Sequence, residues 1–153
     1  MADISDEKFM RAALEEADKA SELGEVPVGA VVVMGGEIVS AAFNTRETDK
    51  NALCHAEIKA IDAACKKLGG WRLHKCDIYV TLEPCPMCAG AIVNSRIKRV
   101  VYGARDEKAG AFGTKLMLND FDLNHKPTVE GGVLAADAAS RLSHFFSTLR
   151  EKK

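Results

Sequence analysis

The sequence predicts an α/β fold in which a mixed sheet of about five strands is layered between helices. Three observations lead there. Short runs rich in Val, Ile and Tyr alternate with stretches whose apolar residues recur every three or four positions. Glycine pairs and prolines stand at the joints between these segments. The length of 153 residues, 47% hydrophobic and 28% charged, suits one core rather than two, so a single domain over 1–153 is expected.

In chain order, Ser5 is placed to cap a first helix whose apolar set is Phe9, Ala12, Ala13, Ala17 and Ala20, ending near Gly24. Residues 28–34 and 38–43 read as strands joined by Gly35-Gly36, the pattern of a tight hairpin. A polar loop over 44–51 leads to a second helix over 55–68, with Ile58, Ile61 and Ala64 facing inward and Gly69-Gly70 stopping it. Residues 77–82 form a short buried strand, and 86–94 a helix opened by Pro86 in its first turn. Residues 99–102 are a further strand, followed by a glycine-containing loop over 103–114. No regular pattern emerges over 115–127. A last strand at 128–130 and a last helix over 134–149 complete the reading.

Net charge is −1, so nothing global points to nucleic acid. The distribution is uneven: residues 94–115 hold six bases against two acids, and residues 1–25 three bases against eight acids. A near-neutral protein can therefore still carry a basic face. The apolar runs are too short to span a bilayer, and the N-terminus is acidic and helical in pattern, unlike an export signal. A cytoplasmic location is expected. The five cysteines, an odd number, then argue for reduced thiols and a metal site rather than a disulfide framework.

Two segments carry chemistry: Cys54-His55-Ala56-Glu57 and Pro84-Cys85-Pro86-Met87-Cys88. Cys85 and Cys88, three apart at a helix start, can aim both sulfurs to one side, where free N–H groups and the helix dipole favour thiolate. His55, at the start of another helix, adds an imidazole. Three ligands of the types zinc prefers, with no obvious fourth, describe a catalytic rather than a structural zinc. Glu57 lies roughly 200° around the helix from His55, free to act as a general base on a water rather than as a ligand. Alone, the Cys-x-x-Cys could be a redox pair, and His-Ala-Glu alone means little; together and in this order they are specific. Cys54, Cys65 and Cys76 are expected to be structural, and His74, His125 and His144 solvated; Glu83 is expected to cap the helix that Cys85 opens, with contact to substrate as the alternative.

These motifs resemble the signature of the cytidine deaminase-like superfamily, His-x-Glu followed by Pro-Cys-x-x-Cys. Glu25-Val-Pro-Val-Gly-Ala30, Thr81-Leu-Glu-Pro-Cys85, Met87-Cys-Ala-Gly90, Ser95-Arg-Ile97 and Val101-Tyr-Gly-Ala-Arg-Asp106 resemble, more narrowly, the bacterial tRNA adenosine deaminase family, over about 9–150. The resemblance implies a three-layer fold and conversion of adenosine to inosine at the wobble position (34) of a tRNA anticodon, an arginine tRNA being the usual substrate. It implies a homodimer with one zinc per chain on His55, Cys85 and Cys88, and a proton shuttle at Glu57 while a zinc-bound water attacks C6. Val26 and Pro27 would line the base pocket, Asn44 would hydrogen-bond the flipped base, and Asp106 would contact the neighbouring nucleotide. Phe145, Phe146 and Arg150 would meet the anticodon stem-loop from the last helix. Two other readings stay open: a deaminase of a free base or nucleoside (guanine or cytosine type), and a non-catalytic zinc module that binds nucleic acid, which would need a fourth protein ligand.

Overall fold

The computed structural model describes residues 4–151. Helix α1 (Ile4–Glu22) is followed by strands β1 (Gly29–Met34) and β2 (Glu37–Phe43), helix α2 (Ala56–Leu68), strand β3 (Cys76–Leu82), helix α3 (Pro86–Asn94), strand β4 (Arg99–Ala104), strand β5 (Thr128–Gly131) and helix α4 (Ala135–Glu151). The strands form one sheet in the order β2-β1-β3-β4-β5. β1 runs antiparallel to β2 and β3, whereas β3, β4 and β5 are parallel, so the sheet is mixed as expected.

Alternation along the strands fills both faces. Ala30 and Val32 of β1, with Ile78 and Val80 of β3 and Val100 of β4, face α2 and α3 through Ala60, Ala64, Ala89 and Ile92. Val31, Val33, Tyr79 and Val101 face the other way, onto Phe9, Met10, Ala13 and Leu14 of α1 and Ala138 of α4. The result is three layers, α2 and α3, the sheet, then α1 and α4. α1 lies so close to β1 that a Cβ on Gly29 would come within 2.0 Å of the Ala13 carbonyl oxygen. Only glycine fits there. α1 is also fastened by Asp6, which accepts two hydrogen bonds from Arg99 (2.8 and 2.7 Å) and one from the Tyr79 hydroxyl (2.6 Å). Arg99 additionally pairs with Glu130 of β5, joining four elements through one guanidinium.

The hairpin, the two helix stops and the last helix match the sequence reading. Gly35 and Gly36 both have positive φ (58° and 79°), the two-residue turn that follows the right-handed twist of its strands. Gly69 closes α2 in the left-handed conformation, its N–H on the Cys65 carbonyl. Three details differ, and the segment that showed no regular pattern stays irregular. Ser5 lies inside α1 rather than capping it. Ile58 is only half-buried, because Glu57, Ala60, Ile61 and Ala64 take the inward stripe of α2. β4 continues to Ala104. Residues 115–127 contain a single 3-10 turn, Leu118–Asp120, and are otherwise held by individual hydrogen bonds such as Asn119 Nδ2 to the Pro127 carbonyl (2.8 Å). Among the described residues no helix is long and apolar enough to cross a membrane.

Candidate active site

The site forms where β1 begins and β3 ends. Strand β3 runs out at Leu82, and three residues later Cys85 occupies the N-cap of α3, with Pro86 as its first helical residue. His55 holds the same position on α2. Neither side chain makes a capping hydrogen bond to its own helix, so both remain available to one another. The His55 Nδ1 lies 3.7 Å from Cys85 Sγ and 3.5 Å from Cys88 Sγ, and the three donor atoms all fall within 4.8 Å of one another. A tetrahedral zinc with ordinary Zn–N and Zn–S bonds separates nitrogen from sulfur by about 3.6 Å. Donor types and spacing therefore fit zinc, and among the described residues no fourth His, Cys, Asp or Glu joins the group.

The electrostatics are those of one preformed thiolate beside a buried acid. The Cys88 thiol and then His55 hydrogen-bond to Cys85 and, against the cost of burial, bring its pKa down to about 4. Cys88 is pushed far up, because it donates to Cys85 and is itself buried. With only protons to bind, the pair thus holds a single thiolate. The Cys85 hydrogen bond raises the His55 pKa. Glu57 is enclosed in the first turn of α2, and desolvation lifts its carboxyl to about 7.

Above these groups opens a cavity of about 170 Å³ lined by Val26, Val28, Asn44, Arg46, His55, Ala56, Glu57, Leu82, Glu83, Cys85 and Asp106. It is smaller than the ~300–1,000 Å³ pockets that take drug-sized ligands, and suits one heterocycle. Two loops wall it. The first, 44–51, is braced by the buried Glu25 carboxylate, which accepts from the Glu47 and Thr48 N–H groups, and by Asn44, whose Nδ2 donates to the Val26 carbonyl (3.2 Å). The second, 105–114, is gathered around Glu83.

Of the residues singled out from sequence, Val26, Asn44, His55, Glu57, Glu83, Cys85 and Asp106 line this cavity, with Cys88 buried beneath it. Pro27 is buried and does not line it; Val28 does. Phe145, Phe146 and Arg150 sit on α4 away from the cavity, the two rings packed edge to face at 5.4 Å. Glu83 caps no helix: its carboxylate serves the second loop instead. Cys76 is buried, but Cys54 and Cys65 are half-buried. His74 and His144 are exposed, whereas His125 is half-buried with Nε2 2.6 Å from the Ile97 carbonyl oxygen. The bases of 94–115 do not act as one set, since Arg99 is consumed by Asp6 and Glu130. Sequence reasoning missed Arg46, Val28 and Leu82. Arg46 stands two residues after Asn44 in a polar loop, a spacing that could have flagged it once Asn44 was suspected.

A mixed five-stranded sheet between two helical layers, with imidazole and thiols meeting at two helix starts, is the architecture of the cytidine deaminase-like proteins. Comparison with known proteins agrees and narrows the assignment. Residues 4–150 match the model of the MafB19-like deaminase family. A tRNA-specific adenosine deaminase of Bacillus subtilis is 52% identical over 149 residues, 97% of this chain and 92% of that protein. A solved structure from work on A-to-I editing by tRNA:A34 deaminases at the wobble position superposes with a TM-score of 0.86 at 42% identity, covering 88% of this chain and 99% of that one. The guanine deaminase of Bacillus subtilis is more distant, with a TM-score of 0.62 and 32% identity over 77% of this chain and 86% of that one. The chain belongs to the family of tRNA-specific adenosine deaminases.

Proposed function

We propose that this protein hydrolytically deaminates adenosine to inosine at the wobble position of a tRNA anticodon, an arginine tRNA being the expected substrate, with one zinc per chain. The observation that carries the chemistry is the convergence of His55, Cys85 and Cys88 at the floor of a cavity sized for a single base that also holds the Glu57 carboxyl. Zinc on these three ligands supplies the Lewis acidity that makes water a nucleophile near neutral pH. Glu57, buried and titrating near 7, would accept one proton of the attacking water and pass it to the purine ring nitrogen, then take the second from the new C6 hydroxyl and deliver it to the departing amine. Ammonia leaves and a carbonyl replaces the amino group at C6. Asn44 offers the base edge its second Nδ2 hydrogen and the free side of its amide oxygen, Val26 and Val28 supply the apolar side, and Asp106 meets the neighbouring nucleotide. On this reading the protein works in the cytoplasm as a homodimer, and Phe145, Phe146 and Arg150 of α4 contact the stem-loop.

The likeness to a guanine deaminase keeps one competing substrate class in view, a free base. The discriminating experiment is deamination of an anticodon stem-loop with adenosine at the wobble position, alongside free adenosine, guanine and cytosine. Turnover confined to the stem-loop is expected. Turnover of a free base alone overturns the proposal.

A further inference from the structure

Glu83 is among the most deeply buried side chains of the molecule, 1% exposed, and the chemistry above gives it no task. An ionised carboxylate in that position needs several donors. It has four, all from one loop. Oε1 accepts from the Asp106 N–H (3.1 Å) and the Thr114 hydroxyl, and Oε2 from the N–H groups of Phe112 (3.0 Å) and Thr114 (3.2 Å). The loop is shaped to close on it. A Cβ on Gly110 would fall 2.4 Å from the Glu83 carboxyl carbon, and Ala111 N–H donates to the Pro84 carbonyl (2.9 Å) on the adjoining residue. Asp106 is the loop residue that reaches the cavity, and its own Oδ1 is turned back to the Lys108 and Ala109 N–H groups. The backbone position of Asp106 is therefore fixed on one side by its own turn and on the other by Glu83.

We infer that Glu83 is a positioning residue for nucleotide selection: by gathering loop 105–114 around its carboxylate it sets where Asp106 stands beside the reacting base. The inference rests on the proposed role of Asp106 at the neighbouring nucleotide. Glu83→Gln separates the two halves of the contact. An amide keeps one acceptor oxygen, best used at the Phe112 and Thr114 N–H pair, and then turns its NH2 toward Thr114 Oγ1, which can accept, and toward the Asp106 N–H, which cannot. The substitution thus loosens Asp106 while leaving the rest of the loop held. Gly110→Ala disturbs the same contact from the loop side with the carboxylate intact.

The test is a double-mutant cycle on the zinc-loaded protein, using an anticodon stem-loop as substrate. Glu83→Gln and Gly110→Ala are each expected to raise KM about tenfold, the loss of one charge-assisted hydrogen bond, with kcat and zinc content little changed. In an Asp106→Ala background the Glu83→Gln effect on KM should vanish, because the side chain it positions is gone. Additive effects, a neutral Asp106→Ala, or loss of zinc in Glu83→Gln each overturn the inference, the last by making Glu83 a support for Cys85. Absence of stem-loop turnover in the parent protein overturns the functional proposal itself, and is read before the cycle begins.

Discussion

Replacing Glu57 by Gln keeps the shape of the first turn of α2 and removes one ionisable group, so its two consequences can be worked out separately. The first is catalytic: a carboxyl that accepts and returns protons contributes ~10²–10⁴-fold, and an amide does neither. The second is energetic and has the opposite sign. Burial raises the Glu57 carboxyl from 4.5 to about 7. Between these values the folded chain holds a proton that the unfolded chain releases, so stability falls as pH rises through that window. Above it the penalty is complete, about 3 kcal/mol. Gln carries no such penalty. In chelator-treated protein the variant should melt with the parent near pH 4 and above it at pH 8, by roughly 6–12 °C for a chain of this size. Thermal melts at the two pH values, with stem-loop deamination on zinc-loaded samples, make the measurement. Activity within a few-fold of the parent would remove Glu57 from the proton path. An unchanged melting difference between pH 4 and pH 8 would refute the claim that burial penalises its charge.

Metal analysis of the parent should find about one zinc per chain, and Cys88→Ala, which removes the innermost donor, should lose most of it; undiminished zinc rejects the ligand set. Gly29→Ala must force α1 away from β1, given a Cβ 2.0 Å from the Ala13 oxygen, and should cost at least ~1–3 kcal/mol in a denaturant titration. Truncation after Leu149 removes Arg150, exposed near the end of α4, together with Lys152 and Lys153, which lie outside the described residues. Stem-loop affinity should drop and its salt dependence should lessen by about one counterion or less per lost phosphate contact. Equal affinity at two salt concentrations in a folded, zinc-loaded truncation dismisses the tail as an RNA contact.

Much of this arrangement could be read from the chain because its signals are local. Gly35-Gly36 marks its own turn, Pro86 its own helix start, and the spacing of Cys85 and Cys88 is settled within a single turn. What escaped depends on distant closure. The donors to Glu83 come from 23 to 31 residues further on, with no periodicity to announce them. Residues 115–127 are ordered by scattered side-chain and carbonyl contacts rather than by a repeating pattern, so propensity had nothing to register. The apparent cationic excess over 94–115 shrank for a related reason: Asp6, 93 residues before Arg99, neutralises it from another layer. Ser5 was a sound capping residue in a place where the helix already extends past it.

The two jobs of the site belong to different parts of the chain. The reacting groups stand on the first residues of two helices whose bodies are packed against the sheet, where small shifts are resisted by the whole core. The groups that meet the rest of the ligand stand on loops 44–51 and 105–114, each gathered on one enclosed acid, Glu25 or Glu83. A lineage can therefore rewrite either loop, keep its anchor, and offer the same hydrolytic centre to a differently shaped molecule. Redesign of what the protein accepts has two short stretches to work in, and two acids it must leave alone.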